Sequence, residues 1–201
     1  MATFGKTAIG SSVTYTWMRD GVIGCKFSLP ENGKVTKISA YLHPDNWDKA
    51  SGVIYSDASG APNVRQGYTT EYELLGTDWA WYDFIFDIPI SLLAAAYWLN
   101  IVGNGTSNRY YYYDTGGTNQ FCYEHDINGY TVSPFPPPNP LGTPTGYFDR
   151  EMCIYATYTP TEEKPLISKP LISPLLVSTP IIRQIKPFSK RFPKFEPRVV
   201  T

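Results

Sequence analysis

The stretch DWAWYDFIFDIPI, from Asp78 to Ile90, alternates so strictly that it fits one regular structure. Ala80, Tyr82, Phe84, Phe86 and Ile88 fall on one side of a two-residue repeat, and Trp79, Trp81, Asp83, Ile85 and Asp87 on the other. A helix would scatter both sets around its circumference; only a strand keeps them apart. The even face carries no charge and is the expected core side.

Other segments follow the same grammar. VIGCKFSL, from Val22 to Leu29, puts Ile23, Cys25, Phe27 and Leu29 on one face and polar or small residues on the other, the pattern of a half-buried strand. After the turn PENGK, KVTKISAYL alternates with Ile38, Ala40 and Leu42 inward, and GVIYSD runs into the Gly/Pro turn ASGAP. SLLAAAYWLNIVG reads as a short turn at 91–95 followed by a strand in which Tyr97, Leu99 and Ile101 alternate. RYYYYDTGG and MCIYATYTP supply two further strands, the last closing the body just before Pro160. With 16 Tyr, 16 Gly, 18 Pro and only 17% charged residues, the composition also favours strands and turns over helices. The expectation is an all-β chain: an antiparallel β-sandwich over residues 1–159, most simply a jelly roll, with an extended Pro-rich arm over residues 160–201. Residues 128–146, NGYTVSPFPPPNPLGTPTG, form a long Pro-rich insertion between late strands, of a kind used in contacts or lids.

Cys25, Cys122 and Cys153 are odd in number and do not suggest a disulfide framework; they read as small buried hydrophobes, with a Cys122–Cys153 bridge as the alternative. MATFGKTAIGSS lacks the basic segment and apolar run of a secretion signal, and no apolar run is long enough for a membrane span.

The stretches AYL, GVIYSDASGAPNV and WAWYDFIFDIPISLLAAAYWLNIVGNG together resemble a β-sandwich module that recurs in surface proteins of bacteria and archaea and in structural proteins of their viruses. In that module an IYSD strand (here Ile54–Asp57) meets a Gly-x-Pro turn (Gly60–Pro62). An aromatic strand follows (Trp79–Phe86), then a Pro-x-x-Leu turn (Pro89–Leu92) and a YWL strand (Tyr97–Leu99). The resemblance covers roughly residues 20–115. It implies a sandwich fold and a binding or coat role, because none of its motifs is catalytic. Lacking an export signal, the chain departs from the secreted members, which favours a protein made in the host cytoplasm and built into a particle.

His43 and His125 stand apart from any second His or Cys at metal-ligand spacing. HPDNWD and EHDING cluster oxygens that would suit Ca²⁺, off the EF-hand spacing, and no other cofactor is called for. GNGTSN and DTGGTNQ lead into strands and read as hairpin turns instead of phosphate loops. No catalytic residue is assigned, and the chain is read as not an enzyme. The aromatics are more informative. RYYYYD sends Tyr110 and Tyr112 to one side and Tyr111 and Tyr113 to the other. Trp47, Trp79, Trp81, Tyr111 and Tyr113 are the candidates for stacking on sugar rings or anchoring a protein interface.

The last 41 residues differ from the rest. KPLIS occurs at 164–168 and again at 169–173, followed by PLLVS and TPIIR, and prolines at 165, 170, 174, 180, 187, 193 and 197 forbid a continuous helix. A disordered tail is the simpler reading, but such tails are poor in aliphatic residues. This one carries Leu166, Ile167, Leu171, Ile172, Leu175, Leu176, Val177, Ile181, Ile182 and Ile185, then Phe188, Phe192 and Phe195 among basic residues. Residues 161–201 hold eight Lys/Arg against three Glu, whereas the body holds nine basic and fifteen acidic residues, so arm and body are electrostatically complementary. The arm is therefore expected to clamp neighbouring subunits by strand addition and aliphatic pegs, with nucleic acid as a less favoured partner. The expected function is structural assembly: a virion coat or capsid-decoration subunit. A carbohydrate-binding module or a cell-surface filament or adhesion protein at the extracellular surface is the alternative.

Overall fold

Fourteen strands are seen in the computed structural model, which describes residues 1–16, 21–43, 49–76, 78–104, 109–124 and 136–161. In chain order they are β1 (Ala2–Gly5), β2 (Ser12–Thr16), β3 (Gly21–Leu29), β4 (Gly33–Leu42), β5 (Lys49–Ala58), β6 (Ala61–Tyr68), β7 (Tyr72–Glu73), β8 (Ala80–Leu92), β9 (Ala95–Asn104), β10 (Arg109–Thr115), β11 (Phe121–Glu124), β12 (Gly146–Phe148), β13 (Arg150–Met152) and β14 (Ile154–Pro160). The arm residues from 162 onward, Trp47, and most of the two oxygen-rich loops lie outside the described residues.

Eight of these strands make the frame. β1 pairs with β14, β3 with β9, β4 with β8 and β5 with β6, all antiparallel. First pairs with last and each next strand with the next from the end, the pattern of one long hairpin rolled around itself. Rolling it places β1, β14, β4 and β8 side by side in one sheet and β3, β9, β5 and β6 in the other. This is a jelly roll, a β-sandwich of the expected class. β2, β10 and β13 extend the first sheet; β11 and β12 continue the second beyond β3, and β7 adds to β5.

Alternation predicts the main core well. Ile38, Ala40 and Leu42 of β4, Tyr82, Phe84 and Phe86 of β8, and Tyr97, Leu99 and Ile101 of β9 all lie between the sheets. The β5–β6 connection is the two-residue turn that ASGAP suggests: Ser59 (φ 55°) and Gly60 (φ 87°) both take positive φ, as a type I′ turn demands.

Four expectations need correction. Ile88, placed on the core face of β8, is 81% exposed, because the register of β4 against β8 slips between Val35 and Lys37 and throws the chain outward there. The turn expected at 91–95 shrinks to Leu93 and Ala94, since β8 runs on to Leu92 and β9 starts at Ala95. MCIYATYTP is not one strand: it breaks at Cys153, with β13 on β10 and β14 on β4. β3 is not half-buried either. Its first five residues are covered on both faces, because Val22 joins Val53, Tyr55, Trp98, Val102, Cys122 and Leu141 in a second core on the outer side of that sheet.

The cover over this second core is the described part of the Pro-rich insertion. Tyr55 donates its hydroxyl to the Pro138 carbonyl at 3.0 Å, and Arg65 donates to the Pro137 carbonyl. Along the β6 edge, Arg65 N donates to Asn139 Oδ1 at 2.9 Å and Leu141 N to the Asn63 carbonyl at 3.2 Å. A segment expected as a loop for contacts thus closes one face and one edge of its own sandwich.

The cysteines are free and buried. Cys122 lies in β11 of the second sheet and Cys153 at the break between β13 and β14 of the first, and both are free, so the alternative of a bridge between them does not hold.

Candidate functional site

The outer face of the first sheet carries the feature that fold alone does not require. On β4, β8, β10 and β14 several of the residues flanking the inward set point away from the core and are aromatic. Tyr41 lies opposite Trp81 in the β4–β8 register, and its ring centroid is 5.4 Å from that of Trp81 and 5.7 Å from that of Tyr112. Trp79, just before β8, stacks on Tyr41 at 5.8 Å with 19° between planes and meets Tyr112 edge-on at 4.6 Å. Trp81 contacts Tyr155 edge-on at 5.2 Å, and His43 joins Trp79 to Tyr110 at the other end. Seven rings thus form one band across four strands, each half-buried by its neighbours. Offset and edge-on contacts at these separations are the favoured aromatic geometries, and cross-strand pairs of this type stabilise a sheet.

Polar groups border the band. Lys37 Nζ lies 2.6 Å from Asp83 Oδ2, and the Ser39 hydroxyl donates to Asp83 Oδ1 at 2.5 Å. Burial on its own would raise the Asp83 pKa, but the two hydrogen bonds outweigh it and hold the carboxyl below its ordinary value. Asp83 is therefore a fixed negative charge beside Trp81 and the exposed Ile85.

Of the residues proposed from sequence, Trp79 and Trp81 are in this band. Tyr111 is not: it is fully buried, stacked on Phe121 at 4.9 Å, with its hydroxyl accepting from Arg150 at 2.9 Å. Tyr113 also turns toward the core, and the Arg150 guanidinium occupies its ring face at 4.7 Å. A strand with tyrosine on both sides gives no signal of which side faces in, so the sequence offers Tyr111 and Tyr113 where the structure turns Tyr110 and Tyr112 outward. Tyr41, Tyr112 and Tyr155, which the sequence does not single out, join the band; each flanks a core residue on a strand whose other face is apolar. Trp47, His125 and the arm residues from Leu166 to Phe195 lie outside the described residues.

Among the described residues no group of three or more His, Cys, Asp and Glu is placed to hold a metal ion, and no helix is long and apolar enough to cross a membrane. Comparison with family models, curated proteins and solved structures finds no match for the chain.

Proposed function

We propose that the protein is a structural assembly subunit, a virion coat or capsid-decoration protein whose residues 160–201 clamp neighbouring copies. The observation that carries this reading is the contrast between body and arm: an acidic sandwich followed directly by a basic, aliphatic, Pro-punctuated segment. The chain leaves the body beside the β3–β4 turn, where Thr161 N donates to the Asn32 carbonyl at 2.9 Å. The resemblance to sandwich modules of particle and surface proteins supports the same role, which needs no catalytic group. The test is the mass by light scattering of the full chain beside a chain ending at Thr161. Assembly of the first and a folded monomer for the second is expected; two monomers across a wide concentration range would remove the reading.

The aromatic band favours a second reading, carbohydrate binding. Rings beside fixed polar groups suit sugar faces and hydroxyls. Binding on a glycan array that disappears on Trp81→Ala, with the fold intact, would bring this reading forward. An empty array would leave the band as an interface or a structural ladder.

A further inference from the structure

The edges of the sandwich are not equally protected. The β6 edge is capped through Asn63 and Arg65 by residues 139–141, and β1, β12 and β13 are only three or four residues long. β8 differs. It is 13 residues long, pairs with β4 along one side, and among the described residues no strand pairs along its other side. From Ala80 to Ile85 its register against Leu42 to Lys37 is unbroken, and Ile85 is 64% exposed. Beyond Ile85 the register slip, Asp87 and Pro89 interrupt it, devices that blunt an edge. The result is a short, regular, open edge, a template for an added strand.

The arm holds a matching piece. Proline removes amide donors, so an added strand needs a Pro-free run. The longest in the arm is Ile181–Lys186, IIRQIK, between Pro180 and Pro187. It is rich in β-branched residues and places Ile181, Arg183 and Ile185 on one face. On β8 the outward face reads Trp81, Asp83, Ile85. Resting on the assembly reading above, we propose that residues 181–186 of a neighbouring copy add to the free edge of β8 as an antiparallel strand. Ile181 then lies opposite Ile85, Arg183 opposite Asp83 and Ile185 opposite Trp81. Each is a favourable cross-strand pair, apolar on apolar or cation on anion. A second β8 is a poorer occupant of the same edge, since it brings its own Asp83 and Asp87 to an edge that already carries both.

The experiment uses the full chain, comparing wild type, Gln184→Pro, Arg183→Glu and Arg183→Glu combined with Asp83→Lys by sedimentation and by hydrogen exchange at Trp81–Ile85. Gln184→Pro removes a donor in mid-run and leaves the sequence of residues 1–161 unchanged. It should weaken self-association about tenfold or more and abolish the assembly-dependent protection of the β8 amides. Arg183→Glu should weaken association as well, and adding Asp83→Lys should restore it. If Gln184→Pro assembles like wild type and the β8 amides exchange equally fast in dilute and assembled protein, the β8 assignment is wrong while the assembly reading stands. If the wild-type chain never associates, the assembly reading fails and this inference with it.

Discussion

Trp98 Nε1 donates to Asp57 Oδ1 at 2.8 Å, tying the YWL strand to the end of the IYSD strand. The other oxygen of Asp57 accepts from Gly60 N at 3.2 Å, closing the turn that leads to Pro62, and Lys26 lies 3.9 Å from the carboxylate and over the Trp98 ring. Residues 41 positions apart in the sequence thus meet at one carboxylate. Asp57→Ala leaves the indole N–H of a fully buried Trp98 without its acceptor and the turn without its cap. It should cost about 2 kcal/mol, read as a lower urea midpoint with unchanged slope. Asp57→Asn keeps an acceptor oxygen and should cost less.

Gly24 faces Asn100 across the β3–β9 pair, and a Cβ there would run into the Leu99 carbonyl and the Asn100 backbone. Backbone of a central strand cannot swing aside as a side-chain tip can. Gly24→Ala should therefore destabilise by about 3 kcal/mol or more. Gly117→Ala is the control: its nearest neighbour is the Gln120 side chain at 3.4 Å. Thermal melts of the two variants side by side check the contrast.

Asp114 receives a hydrogen bond from Lys6, whose Nζ is 2.6 Å away, and two more from the backbone and hydroxyl of Ser11. These hold its carboxyl well below the ordinary 3.8, and the same contact raises Lys6 above its ordinary 10.5. A lowered carboxyl stabilises the fold fully above its unfolded value and loses that contribution as pH falls through the folded value. A raised lysine contributes below its unfolded value and loses its share as pH rises through the folded one. The melting temperature should therefore hold between about pH 4 and about pH 10, falling along an acid limb below that window and an alkaline limb above it. Asp114→Asn should flatten that acid limb in part, with Asp83, also lowered, supplying some of the remainder.

The three thiols should be silent in the native protein. Burial pushes Cys122 up to about 12 and raises Cys25 and Cys153 above their ordinary 9.0, so little thiolate forms at neutral pH. An aromatic disulfide reagent should therefore react slowly with native protein and with all three thiols in denaturant. Rapid native reaction at one of them would mark a local opening.

Tyr41 is the hub of the aromatic band, touching Trp79, Trp81 and Tyr112. Among the described residues Tyr41→Ser removes three ring contacts and Tyr155→Ser the one to Trp81, so the first should cost more, by about 1–2 kcal/mol. Urea denaturation of both variants compares them. Equal losses would mean that the ring contacts contribute little to stability.

The long alternating strands and the main core were legible because period-two alternation states directly which residues share a face. Phe84 and Leu99 needed no more than that. What stayed hidden depends on pairing across long separations. Ile88 looks like a core residue until the slip against Val35 and Lys37 is known. Val22 looks exposed until Leu141, far away in the sequence, is seen to cover it. The binding candidates were the least legible. Trp79 and Trp81 stand out by bulk and alternation, but choosing Tyr112 over Tyr111 as outward-facing requires knowing which face of β10 meets Phe121.

β14, the eighth strand of the roll, sits in the interior of its sheet, between β1 and β4. During synthesis, then, this sheet lacks a central member until the chain has been made through Pro160, however early its other strands emerge. A nascent chain stopped short of that point leaves β4 with an unfilled side, open to any stray strand. Residues 162–201 leave the ribosome only afterwards, so the segment proposed to grip other copies becomes available once its own body can close.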